Sequence, residues 1–219
     1  MPYYVRLMRK EDTDQVYEID REAFPTQWPP ANYRQELQNR LAHYVVACDE
    51  EKIVEALEVE ASPEKGIIGV VSRVKQLSNT NHFFNSKLHP QNKEYVVGFI
   101  GSWILAEEAH ITNLAVREPY RQQGIGELLL ISTIDLATEL KATIITLEVR
   151  VSNITAQRLY QKYGFIQTGQ SHGYYTDNRE DAILMANGNI TSAFFQAQLQ
   201  RLKQAHSRKW GIALYHIVR

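Results

Sequence analysis

One stretch constrains the architecture more than any other. From Asn113 the chain reads NLAVREPYRQQGIGELLL: a strand-like N-L-A-V, a polar loop, glycines at 124 and 126, and then a helix. That helix carries Leu128, Leu129, Leu130, Ile131, Ile134, Leu136 and Leu140, so it is apolar on most sides and has to be buried. Directly after it, Thr143 to Val149 is a β-branched run, the composition of a central strand covered on both faces. A buried helix between two strands needs a core on which to pack, within what the length suggests is one α/β domain with additions.

The flanking sequence supplies the rest of such a sheet. Tyr4 to Met8 alternates like a strand, and Glu11 to Phe24 carries Val16, Ile19 and Phe24 at helical spacing. A second helix is expected after Pro29-Pro30, and His43 to Cys48 reads as a strand ended by a turn at DEEK. Tyr95 to Leu105 and His110 to Val116 form two more strands that a turn at Ala106 to Ala109 would join as a hairpin. Beyond the central run, a helix is expected from the cap Asn153 to the stop at Gly164, followed by strands at Phe165 to Thr168 and Ala182 to Met185.

Composition narrows the function classes. The 219 residues suit one α/β domain with additions. Lys plus Arg number 24 against 25 Asp plus Glu, so no global positive field exists to hold nucleic acid stably or to bind an anionic membrane. The single Cys48 has no partner for a disulfide or a CxxC site, and the N-terminus MPYYVRLMRKED lacks a signal-peptide core. A cytoplasmic protein is expected. The seven histidines show no H-x-x-x-H pair, so no metal is expected, and no G-x-S-x-G elbow supports a serine hydrolase.

Glycines at the mouth of a helix have a chemical reading as well as a structural one. Converging backbone N–H groups at a helix N-terminus attract a diphosphate, and glycine lets it approach; the same glycines equally permit a tight turn. A full G-x-G-x-x-G is absent because the third position is Leu129, and the Walker lysine is missing. The wider pattern is more specific. R-x-x-G-x-G at Arg121, Gly124 and Gly126, after N-L-A-V, resembles the acetyl-CoA pyrophosphate loop of the GNAT acetyltransferases. The segments AFPTQWP, LEVRVSN at Leu147 to Asn153, LYQKYGF at Leu159 to Phe165 and GYYTDNREDAILM at Gly173 to Met185 agree in order and spacing. Together they resemble the ribosomal-protein-alanine N-acetyltransferase branch, over roughly residues 3–50 and 95–187.

The resemblance implies an α+β fold: a mixed, strongly bent sheet of six or seven strands with helices on both faces and a V-shaped cofactor cleft. Acetyl-CoA would lie along Leu114, Ala115 and Val116, with the Val116 N–H polarising the thioester carbonyl. Gln122, Gln123, Gly124, Ile125, Gly126 and Glu127 would hold the pyrophosphate. An α-amine of reference pKa ~7.7–8.0 must lose a proton before it attacks, and the departing thiolate must gain one. The family's base and acid fall on Glu148 and Tyr160. Asn153, a helix cap in any case, would also touch the pantetheine arm, and Tyr174 and Tyr175 would wall the peptide slot.

Each residue also has a plainer reading. Glu148 could face solvent or pair with Arg150, and Tyr160 could be a core aromatic with Tyr163 as its rival. Tyr174 and Tyr175 could be loop packing, and Asp181 could attract the substrate amine or cap a strand. Glu107, Glu108 and His110 are alternative bases. The implied function is acetyl transfer from acetyl-CoA to the N-terminal α-amine of a protein, such as the N-terminal alanine of a ribosomal protein. The alternatives are an acetyltransferase for a small amine or protein lysine, or a non-catalytic acyl-CoA-binding module.

The transferase domain is expected over 1–190, interrupted by an insert at about 52–94 in which Gly66 to Leu77 could form a basic amphipathic helix. Residues 191–219 are expected as a helical extension, AFFQAQLQRLKQA followed by WGIALYHIV.

Overall fold

The computed structural model describes residues 2–24, 31–54 and 93–216; the expected helix at Gly66 to Leu77 lies outside them. Strand β1 (Tyr3–Leu7) leads through a single 3₁₀ turn into α1 (Thr13–Ala23), and the short α2 (Tyr33–Glu36) precedes β2 (Ala42–Val54). Then come β3 (Lys93–Leu105), β4 (Glu108–Val116), α3 (Ile125–Glu139), β5 (Ile144–Arg150), α4 (Ile154–Lys162), β6 (Ile166–Tyr175), β7 (Glu180–Asn187), α5 (Ala193–Trp210) and β8 (Leu214–His216).

All eight strands join one sheet in the order β6-β7-β5-β4-β3-β2-β1-β8. The sheet is mixed: β4 with β5 and β1 with β8 are parallel, and the other neighbours are antiparallel. The eighth strand exceeds the expected six or seven. It is the end of the apolar C-terminal segment, which finds the edge of β1 (Tyr4↔Leu214 to Arg6↔His216). The expected DEEK turn is another correction. β2 runs through it, with a register irregularity against β3 between Asp49 and Ile53. The Asp49 carboxylate accepts the Glu51 N–H at 3.0 Å while Glu50, Glu51 and Lys52 face solvent, so a bulge accommodates the charges without ending the strand.

Two apolar cores lie on opposite faces of the sheet. One is built around α3, whose Ile125, Leu128, Leu129, Leu130, Ile131 and Ile134 are essentially inaccessible, packed on Val5, Val45, Val97, Ile100 and Ile145. The other joins α1 and α2 (Val16, Ile19, Tyr33) to Val46, Val96, Phe99 and Ala115. The helix that is apolar all round is thus sandwiched between the sheet and α5, which packs on its outer side through Leu199 and Leu202. Among the described residues no helix is long and apolar enough to cross a membrane.

Candidate active site

The site starts where β4 and β5 part. Their parallel pairing covers only Glu108↔Ile144 to Ile111↔Leu147, yet β4 continues to Val116 and β5 to Arg150. β4 also slips by one residue against β3 between Gly101 and Ser102, placing the extra residue at Thr112. Beyond it, the Arg117 N–H bonds to the Val97 carbonyl at 2.9 Å. Antiparallel hydrogen bonding alternates, so Val116 opposite Gly98 and Leu114 opposite Ile100 turn their own N–H and C=O groups away from β3, into the gap left by β5. The Val116 carbonyl confirms this direction, since it accepts from Arg121 Nε at 3.1 Å. An open strand edge inside a cleft can pair with an extended, amide-bearing ligand arm.

The gap's upper end is the glycine turn. Gly124 is the N-cap of α3 with φ +79°, and no side chain caps the helix. Its carbonyl accepts the Leu128 N–H at 2.9 Å, while the N–H groups of Ile125, Gly126 and Glu127 have no partner within the helix. A Cβ on Gly126 would meet only Leu114 Cδ2 at 3.6 Å and Val116 Cγ2 at 3.9 Å, so its missing side chain keeps open the space beside the β4 edge. Of the other expected turn residues, Gln123, Ile125 and Glu127 have their side chains engaged elsewhere, while Gln122 is exposed. Ile125 is a core residue, the Gln123 side chain accepts from Tyr3 and donates to the Pro119 carbonyl, and the Glu127 carboxylate is held by Tyr163 and Lys162.

Glu148 and His110 stand on one face of the sheet, where the pairing ends. Glu148 Oε2 lies 3.1 Å from His110 Nε2. His110 Nδ1 is 2.9 Å from Thr146 Oγ1, which donates to Glu108 Oε1 at 2.7 Å. Thr146 has one hydroxyl proton; with that proton on Glu108, its oxygen accepts from His110 Nδ1–H. Of the expected bases, the structure therefore joins three in a single chain, Glu148, His110 and Glu108, and leaves Glu107 outside it. Glu148 does not pair with Arg150, which instead grips Asp177 (2.9 Å) and Glu180 (3.0 Å). Position 110 was legible as a candidate, but its pairing with 148 depends on the β4–β5 register, which a single sequence does not reveal.

Tyr160 is buried on α4 against Phe165, ring centroids 5.7 Å apart. Burial, and then the proximity of Tyr175, hold its phenol above the ordinary value. Its hydroxyl makes no hydrogen bond to the described residues, whereas the rival Tyr163 donates to Glu127 at 2.7 Å and is wholly inaccessible. Tyr163 thereby packs beneath the glycine turn. Asn153 caps α4, accepting the Ala156 N–H at 3.1 Å.

The β6–β7 hairpin closes the other side. Tyr174 and Tyr175 meet edge to face at 5.1 Å, and the Arg150 guanidinium lies 3.8 Å over the Tyr175 ring. Burial pushes Tyr175 up to about 12, with Arg150 opposing and the charges of Glu148 and Glu180 adding. Burial likewise raises Tyr174, with the charge of Glu148 adding. Asp181 accepts from Gln170 (2.7 Å) and the Gly173 N–H (2.8 Å) and pairs with His172 (2.7 Å), which braces the hairpin where Gly173 takes φ +60°.

Comparison with known proteins gives the family. The pattern of the Acetyltransferase (GNAT) family matches residues 73–165. A Bacillus subtilis protein, provisionally named a ribosomal protein bS18-alanine N-acetyltransferase, is 34% identical over 182 residues, spanning 83% of this chain and 92% of its own. The chain belongs to the GNAT acetyltransferase family. An N-alpha-acetyltransferase of Sulfurisphaera tokodaii is 32% identical over 186 residues, 84% of this chain and 92% of its own. In fold, this GNAT chain is similar to the crystal structure of the ribosomal-protein-S18-alanine N-acetyltransferase from Escherichia coli. The TM-score is 0.60 at 23% identity, over 87% of this chain and 96% of that one.

Proposed function

We propose that this acetyltransferase moves the acetyl group of acetyl-CoA to the N-terminal α-amine of a protein in the cytoplasm, preferring an N-terminal alanine of a ribosomal protein. The observation that carries the reading is the Glu148–His110 pair, set where β4 and β5 part; Tyr174 and Tyr175 would wall the peptide slot beside it. The relatives' names support the acceptor. The transferase domain would span 1–190, with 191–219 as its extension.

The residues present fit acetyl-CoA. Its amide-bearing arm can pair with the backbone of Leu114 and Val116, and its diphosphate can face the amides at 125–127 beside Gly126. When bound it supplies the activated acetyl group; the Val116 N–H would polarise the carbonyl. The Glu148 carboxylate, held by His110 through Oε2, would take the amine's proton on an oxygen directly or through one water. Tyr160 would donate to the sulfur as it gains charge. Asn153 stands at the cleft's α4 side, where its amide could reach the same arm. This scheme uses proton transfer and N–H polarisation and calls on no metal.

A first check follows from Gly126. Gly126→Val should raise KM for acetyl-CoA at least about tenfold, leaving the acceptor KM unchanged, because the new side chain fills the space beside Leu114 and Val116. The Cβ meets only ordinary contacts, so the melting temperature should hold. An unchanged KM would remove the turn from the cofactor site. For the reaction as a whole, mass spectrometry of peptides differing only in the first residue, incubated with acetyl-CoA, should show one acetyl added fastest to the alanine peptide. Thiol release without peptide modification, or binding without release, would overturn the proposed reaction.

A further inference from the structure

The segment after β7 does more than cover α3. α5 starts beside the end of α4, where Phe195 lies 3.6 Å from the place a Cβ on Gly164 would occupy. It crosses α3, where Lys203 pairs with Asp135 at 2.5 Å, and finishes on the glycine turn. There His206, buried, sets Nε2 3.0 Å from the Gly124 carbonyl. The Trp210 indole fills the space of the absent Gly124 side chain, its Cδ1 and Nε1 2.7 Å from where a Cβ would stand. β8 then fastens the end of the segment to β1.

This arrangement addresses a weakness at the start of α3. The helix begins at a residue in the left-handed region, with no side-chain cap, where Ser, Thr, Asp or Asn would normally hold the first turn. Glycine is also the residue that loses most conformational freedom on folding. In this chain the carbonyl of that glycine is held by the imidazole, and its Cα side is covered by the indole. The amides facing the proposed diphosphate are those of the three residues that follow.

We propose that His206 and Trp210 are positioning residues for acetyl-CoA, acting through Gly124 to hold the phosphate turn in its binding conformation. Neither needs to touch the ligand. The inference rests on the assignment of the turn to acetyl-CoA, and a turn ordered beforehand spares the ligand the cost of ordering it.

The test compares Trp210→Ala, Trp210→Phe, His206→Leu and His206→Gln by steady-state kinetics and by calorimetric titration with acetyl-CoA. Trp210→Ala and His206→Leu should raise KM and Kd for acetyl-CoA about tenfold while kcat and the acceptor KM stay within about twofold. Trp210→Phe, which keeps an aromatic face, and His206→Gln, which keeps a donor for the Gly124 carbonyl, should recover most of the loss. Unchanged acetyl-CoA affinity overturns the proposal, as does a parallel fall in every parameter. If the alanine variant does not fold, the contrast between His206→Gln and His206→Leu decides in the same way. Gly126→Val separates the two levels. A rise in KM there with none in Trp210→Ala refutes the positioning role alone, and no rise in either refutes the site.

Discussion

Tyr160→Phe is expected to lower kcat by about 10²-fold and to leave the Kd for acetyl-CoA unchanged. The hydroxyl makes no hydrogen bond to the described residues, and the ring packs on Phe165, so its removal should barely move the melting temperature. The effect belongs to the step in which the sulfur departs. Burial holds the phenol above its ordinary value, so it stays protonated and cannot easily become phenolate; a thiol, with a reference pKa near ~8.5, holds its proton less tightly. Tyr160 would therefore act by a hydrogen bond that strengthens as negative charge collects on sulfur, an interaction made in the transition state and absent from the ground state. The signature is a fall in kcat and kcat/KM together. Turnover within about twofold of the parent would make Tyr160 a packing residue.

Glu148→Gln is expected to cost more, about 10²–10⁴-fold in kcat/KM, again with acetyl-CoA affinity intact. The glutamine amide can still hydrogen-bond His110 Nε2, so the chain through Thr146 to Glu108 keeps its geometry while the basic oxygen is lost. His110→Gln tests the division of labour. If Glu148 takes the proton and His110 orients it, His110→Gln should lose less activity than Glu148→Gln, and the double variant should lose little beyond Glu148→Gln, because groups acting as a unit are not additive. Independent losses that multiply would show two separate roles. Peptide KM is expected to move little in either variant, since Tyr174 and Tyr175 are held by Arg150 and by each other.

Much of the fold was legible because its signals were local. The helix that is apolar on most sides could only be buried, Asn153 caps α4 as expected, and Gly164 ends that segment with φ +81°. DEEK misled because charge alone does not distinguish a turn from a solvent-facing bulge. The catalytic candidates Glu148 and Tyr160 came from the family resemblance, whereas their surroundings came from pairing across the sheet. The β4–β5 register brings His110 to Glu148, and the β6–β7 hairpin draws Arg150 away to Asp177 and Glu180. The bracing of Gly124 by His206 and Trp210 was beyond the sequence for the same reason: an amphipathic helix shows that it docks, but its period does not identify the turn on which it ends.

The central claim is that this acetyltransferase acts on a protein α-amine. An α-amine near pKa ~7.7–8.0 needs less help to deprotonate than a lysine amine near ~10.4, so the Glu148–His110 pair suffices for the former. The most direct measurement is competitive acetylation of two peptides of equal length in one reaction, followed by mass spectrometry. One has a free N-terminal alanine and no lysine; the other has a blocked N-terminus and a single internal lysine. The account predicts that the alanine peptide takes the acetyl group first and the blocked peptide stays largely unmodified. Faster acetylation of the blocked peptide would contradict it.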